Sequence, residues 1–173
     1  KSISALRRAT QNSPYNLMNW GTLARSLAFG NPDDVEEALS ILGRILDVAP
    51  EHPCVWTWDL FTGIACMNQS RYDDAVVSLE RAIEVSPNFV RARLLLANAL
   101  GMLDKPELAK AEIERAATIN ASFVPARYVQ YITAMSGYNS SLHHHQMRDD
   151  AKSMDVAPKR ESERRKFCAH GIL

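Results

Sequence analysis

Several things that an enzyme, a nucleic-acid binder or a membrane protein relies on are scarce in this chain. Glycine is rare, at 7 of 173 residues. No glycine-rich phosphate cradle, G-x-S-x-G elbow or H-E-x-x-H pair occurs. The chain is therefore expected not to be an enzyme and to need no cofactor. Charge of one sign is also missing, since 20 basic residues meet 20 acidic ones. A nucleic-acid surface depends on clustered Lys and Arg, and no such surplus exists. No apolar run reaches the ~18 residues of a membrane span, and no signal-peptide pattern opens the chain. The cysteines Cys54, Cys66 and Cys168 are odd in number and not paired by spacing. That fits a reduced, cytoplasmic setting. Hydrophobic residues make up 46% of the chain, enough for a continuous core within one domain's worth of sequence.

What the chain does have is a repeated phrase. Leu6-Arg7-Arg8-Ala9, Leu42-Gly43-Arg44-Ile45, Leu79-Glu80-Arg81-Ala82 and Ile113-Glu114-Arg115-Ala116 follow one pattern of aliphatic, any residue, Arg, small or aliphatic. The shared arginines Arg8, Arg44, Arg81 and Arg115 lie 36, 37 and 34 residues apart. Pro14, Pro50 and Pro87 each follow six residues later, and Ala121 stands at the fourth such place. A period near 34 residues marks an array of helical units. Each arginine adjoins a core position in the C-terminal half of its helix, where the macrodipole favours a cation. Their role reads as structural rather than as a ladder of anion sites.

Each phrase belongs to the second helix of a pair. Asp33 with Glu36, Ser70 with Asp73, and Asp104 with Glu107 have the spacing of an N-cap and a capping acid, which predicts second helices starting near 33, 70 and 104. Each ends before its proline, which cannot continue a helix. The apolar stretches 17–29, 56–67, 90–103 and 124–135 recur at three- and four-residue steps, the helical period. Strict alternation is absent, so a sheet has little support. Small residues (Ala24, Gly63 and Ala97 on first helices, Ala38, Ala75 and Ala109 on second ones) let paired helices approach closely. The reading is an all-α solenoid of helix-turn-helix units.

At this point the chain resembles the tetratricopeptide repeat family, over about residues 1–137. The best copy is 90–123, where Leu96, Ala97, Leu100, Ala109, Ile113, Ala116 and Ala121 fall at family spacing. In 56–89 the aligned residues are Gly63, Tyr72, Ala75, Leu79, Ala82 and Pro87. In the copy before it they are Trp20, Leu23, Ala24, Leu27, Ala38, Leu42, Ile45 and Pro50, with two residues inserted near Asn31-Pro32. Trp56 and Trp58 compete for the family's aromatic position in the middle copy. The resemblance implies a right-handed α-solenoid with a half-repeat at 1–14, full repeats at about 17–52, 53–89 and 90–123, and a closing helix at 124–137. Residues 138–173 read as a polar C-terminal tail, and whether 161–170 forms a capping helix stays open.

The resemblance also implies a function. First helices line a concave groove that holds an extended or helical peptide of a partner protein. Carried over by position, the groove residues are Arg25 and Phe29, then Leu60, Ile64, Met67 and Asn68. Arg91, Leu94, Asn98 and Met102 follow, with Tyr128 and Ile132 on the closing helix. Arginines suit carboxylates, asparagines bond a peptide backbone in both directions, and methionines adapt to apolar anchors. About half of these side chains are expected to face solvent. Chaperone-binding members of the family clamp a terminal carboxylate with lysines and asparagines. Here Gly21 and Phe61 stand at two of those places and only Arg91 offers a cation, so the resemblance does not extend to that ligand.

Other features carry less. His143-His144-His145 are adjacent and point apart, with no ligand-spaced Cys or acid nearby, so no metal site is expected. The run from Lys159 to Lys166 is diluted by Glu161 and Glu163 and reads as a solvated face. The chain opens on Lys1 with a second helix that has no first-helix partner, the mark of a piece of a longer array. A rival reading is therefore a regulatory or oligomerisation segment of a larger signalling protein, such as a bacterial cyclase or transcription regulator, acting through a homodimer. A third is a tail that lies in the groove and blocks it.

Overall fold

In a computed structural model, residues 3–123 are described, and they contain seven α-helices in antiparallel succession. These are α1 (Ile3–Asn12), α2 (Leu17–Leu27), α3 (Pro32–Val48), α4 (Val55–Asn68), α5 (Tyr72–Val85), α6 (Val90–Met102) and α7 (Pro106–Ile119), followed by a 3₁₀ turn at Ala121–Phe123. No strand occurs among the described residues. The predicted helix over 124–135, the 138–173 tail, the histidine run and groove residues Tyr128 and Ile132 lie outside them.

The pairs α2–α3, α4–α5 and α6–α7 pack face to face, and each second helix then packs on the next first helix. α2 also touches α4, and α4 touches α6. First helices are thus covered on several sides and second helices chiefly on one. Their composition follows from that. α4 buries Trp58, Leu60, Phe61, Ile64, Ala65 and Cys66, and α6 is buried almost continuously from Leu94 to Gly101. The second helices bury single stripes at three- and four-residue steps, such as Val35, Ala38, Ile41, Leu42 and Ile45 of α3.

The small residues read from the sequence sit at the helix crossings. Ala24, Ala38, Ala75, Ala97 and Ala109 are fully buried. At Gly63 an added Cβ would lie 2.7 Å from Leu79 Cγ, so α4 and α5 meet too closely there for any side chain. At the repeat corners the sixth residue after the proline turns back onto it. Trp20 Nε1 donates to the Pro14 carbonyl at 2.8 Å. Arg93 donates through Nε and Nη2 to the Pro87 carbonyl at 3.1 and 2.9 Å. Trp56 has the same spacing from Pro50 and instead meets Phe89 edge-on, with ring centroids 4.9 Å apart.

The helix starts differ from the expected ones. α3 begins at Pro32, capped by Asn31, whose side chain accepts from the Asp34 amide at 3.0 Å while Asp34 accepts from the Asn31 amide. Asp33 and Glu36 do not form that cap. Ser70 and Asp104 are not N-caps either. Both adopt left-handed backbone, with φ of 61° and 57°, and they end the preceding helices. The Arg71 amide donates to the Cys66 carbonyl at 2.9 Å and Ser70 to Met67 at 3.0 Å. Lys105 to Leu100 at 3.0 Å and Asp104 to Gly101 at 3.1 Å repeat the pattern. This is the double closure of a Schellman ending. The corner is so short that the residue placed to cap one helix is used to stop the other. α5 and α7 then start without a side-chain cap.

Candidate functional site

The face made by α2, α4 and α6 is the candidate site. Successive first helices touch one another, whereas second helices make their main contacts across to first helices. First helices therefore line the inner side of this stack. Their charge is unusual: α2 carries only Arg25, α4 only Asp59, and α6 only Arg91 and Arg93. Among the described residues, every other acidic residue within a helix lies on α3, α5 or α7.

Two of these four charges are used internally. Asp59 is buried and lies 3.0 Å from Nη2 of Arg81 on α5. That distance is close, but Asp59 Oδ1 has no aligned hydrogen-bond donor. Burial raises the carboxyl above its ordinary value, and Arg81 only partly opposes this. Arg93 is bound to the Pro87 carbonyl and, at 2.9 Å, to Glu112 of α7. Glu112 also accepts from Arg115 on its own helix. Arg81 and Arg115 thus have the structural role expected of the repeated arginines. Of the other two, Arg25 is exposed and Arg91 is half-buried.

The expected groove residues divide by depth. Arg25 is exposed, with its guanidinium carbon 5.8 Å from the Phe61 ring centroid, a cation–π geometry. Phe29, Met67, Asn68, Arg91 and Met102 are half-buried. Leu60, Ile64, Leu94 and Asn98 are buried, so they form the wall beneath the surface rather than the surface itself. Asn68 donates through Nδ2 to the Ala28 carbonyl at 2.6 Å, satisfying a C-terminal carbonyl of α2 and tying two repeats together.

Trp58 was not among the expected site residues, yet it shapes the α2 end of the face. It is buried, stacks on His52 with centroids 4.7 Å apart, and covers Gly21 so closely that a Cβ there would fall 2.5 Å from its Nε1. The glycine at a place where some relatives carry a clamp lysine is therefore closed by an indole. A glycine opposite a tryptophan one repeat later was the available signal. Cys66, buried with its thiol raised chiefly by desolvation, has the environment of core filling and not of a nucleophile. Among the described residues, no group of three His, Cys, Asp or Glu could hold a metal ion, and no helix is long and apolar enough to cross a membrane.

Antiparallel helix pairs in register, with alanines at the crossings and first helices lining the inner side, define an α-helical repeat solenoid. Comparison with known proteins agrees with this repeat: a tetratricopeptide repeat model matches residues 67–128. A peroxisomal targeting signal receptor of Eremothecium gossypii is 31% identical over 75 residues, which take in 43% of this chain. The chain spans only 13% of that receptor's length. Among solved structures, a crystal structure of MamA superposes with a TM-score of 0.64 at 19% identity, covering 88% of this chain and 81% of that one. MamA of Desulfovibrio magneticus, residues 41 to the end, gives 0.65 at 16% identity over 90% and 86%. At such identities the likeness is one of fold.

Proposed function

We propose that this domain is a non-enzymatic protein-interaction scaffold that holds a peptide or helix of a partner protein on the face of α2, α4 and α6. The observation that carries this reading is the composition of that face. Exposed Arg25 and half-buried Phe29, Met67, Arg91 and Met102 lie over a buried floor of Leu60, Ile64 and Leu94. Rigid apolar ground with a few polar groups at its rim is the make-up of a recognition surface. The match of a tetratricopeptide repeat model to residues 67–128, and likeness to part of a targeting receptor, support the same reading.

The test is capture with matched variants. Arg25→Glu with Arg91→Glu alters the groove, while Asp73→Lys with Glu80→Lys alters exposed positions of α5 as a control. Proteins held by the wild type and the control but lost from the groove variant identify the face as the site. If every captured protein is held equally by all three, the reading fails.

A further inference from the structure

We infer that the segment held on this face presents one acidic side chain to Arg25, which receives it from a fixed seat on Phe61, with an apolar residue of the segment beside it. The inference rests on the reading above and gives it a chemistry. Five arginines are spent on acids of the domain itself. Arg7 pairs with Glu37, Arg71 with Asp74, Arg81 with Asp59, and Arg93 and Arg115 with Glu112. Arg8 and Arg44 stand on second helices, off this face. Arg25 is exposed on a first helix and makes no ion pair or hydrogen bond among the described residues. Its guanidinium carbon lies 5.8 Å from the Phe61 ring centroid. The ring holds the group in place but offers no oxygen acceptor, so five N–H donors are left for a ligand. An arginine already held on a ring has less motion to lose on binding.

The surroundings decide what those donors take. Three contacts in the same order along both helices hold α2 beside α4. Trp58 lies on Gly21, Phe61 under Arg25, and the Asn68 amide donates to the Ala28 carbonyl at 2.6 Å. The ring is thus kept beneath the guanidinium. α2 has no acid, and the one acid of α4, Asp59, is buried and taken by Arg81 of α5. The charge of Arg25 is therefore not balanced from within, whereas the acids of α3, α5 and α7 repel an acidic segment from the second helices. Arg25 is also the one cation of α2 and α4, which suits a singly charged carboxylate; phosphates are met by clusters of arginines. A side-chain carboxylate meets one arginine through two parallel N–H···O bonds. A clamp for a chain terminus gathers several donors, and its place is closed, since Trp58 covers Gly21 and Phe61 is buried. Half-buried Phe29, four residues beyond Arg25, supplies the apolar ground for the neighbouring residue.

The experiment is selection of random twelve-residue peptides on the full chain, as wild type and as Arg25→Glu. The library is displayed in two formats, tethered at both ends and with a free C-terminus. Wild-type peptides should share one acidic position beside an apolar one in both formats, and Arg25→Glu should select Lys or Arg at that same position. Affinity of the wild-type peptides should fall about tenfold or more for Arg25→Glu and weaken as salt rises, while Asp73→Lys with Glu80→Lys leaves it unchanged. A consensus in which no position changes sign between wild type and Arg25→Glu overturns the inference, as do acids enriched only at a free C-terminus. If such peptides are still lost with Met67→Ala and Met102→Ala, in a variant that keeps its helical circular dichroism, the scaffold reading stands alone. Peptides indifferent to both sets of variants, or no enrichment in either format, remove both.

Discussion

Two successive helix pairs each bury a carboxylate, and they treat it differently. In α4–α5, Asp59 faces one arginine, whose side chain is 53% exposed, and its buried oxygen lacks an aligned donor. In α6–α7, Glu112 sits between Arg93, 14% exposed, and Arg115 of its own helix. A nearby opposite charge is common to both. The difference lies in how many donors point at the oxygens and how dry they are. Taking a carboxylate out of water costs several kcal/mol, and only well-aligned donors offset it. The second arrangement is therefore expected to hold its pair together, and the first to be tolerated.

The sharpest way to break that comparison is Arg93→Met. It should cost about 3–5 kcal/mol, because it leaves a buried carboxylate short of a partner and frees the Pro87 carbonyl. Thermal unfolding followed by circular dichroism would register the loss. Arg81→Met, the matched change in the other pair, should cost less, about 1–3 kcal/mol. A loss at Arg81 equal to that at Arg93 would show that donor count does not matter here.

Glycine against alanine gives a second contrast at one crossing. Gly63→Ala pushes a methyl toward Leu79 and should destabilise by about 1–3 kcal/mol. Ala97→Gly at the corresponding place should cost about 0.5–1 kcal/mol, chiefly through backbone entropy. Urea midpoints of the two variants would rank them.

Acidity offers a test at Asp59. The folded-state value of Asp59 is raised, so the native state binds more protons than the unfolded one between the ordinary carboxyl value and the raised value. Its contribution to stability is fully present below the unfolded value and falls as pH climbs through the folded one. Asp59→Asn should remove that fall, so that wild type and variant diverge with rising pH across the acid range, the variant becoming the more stable. A parallel pair of curves would refute this.

The smallest effect is at the corners. Ser70→Gly and Asp104→Gly relieve left-handed backbone at two equivalent places and should each stabilise by roughly 0.5–1 kcal/mol after the entropy of glycine is set against the gain.

The helix pairs were legible because their causes are local and repeated. Period, prolines, and the alanines and glycine at the crossings are all written along the chain. The corners were not, although their residues were seen. Ser70 and Asp104 have side chains suited both to opening a helix and to tolerating left-handed backbone, and only the length of the connection selects between those uses. The groove was half legible for a similar reason. Position along a first helix says which residues point inward, yet α4 and α6 have neighbours on several sides. Leu60, Ile64, Leu94 and Asn98 consequently ended beneath the surface. The Trp58 contact with Gly21 joins residues one repeat apart, and no periodicity within a helix announces it.

That contact acts as a shim. The indole sets how far α4 stands from α2, and in a stack where each unit rests on the last, a change of angle at one joint is carried to every unit beyond it. The spacing of the first helices is therefore adjusted at a residue buried between them. A smaller ring at position 58 would let α2 settle toward α4 and turn every later helix pair with it, without altering a residue on the surface.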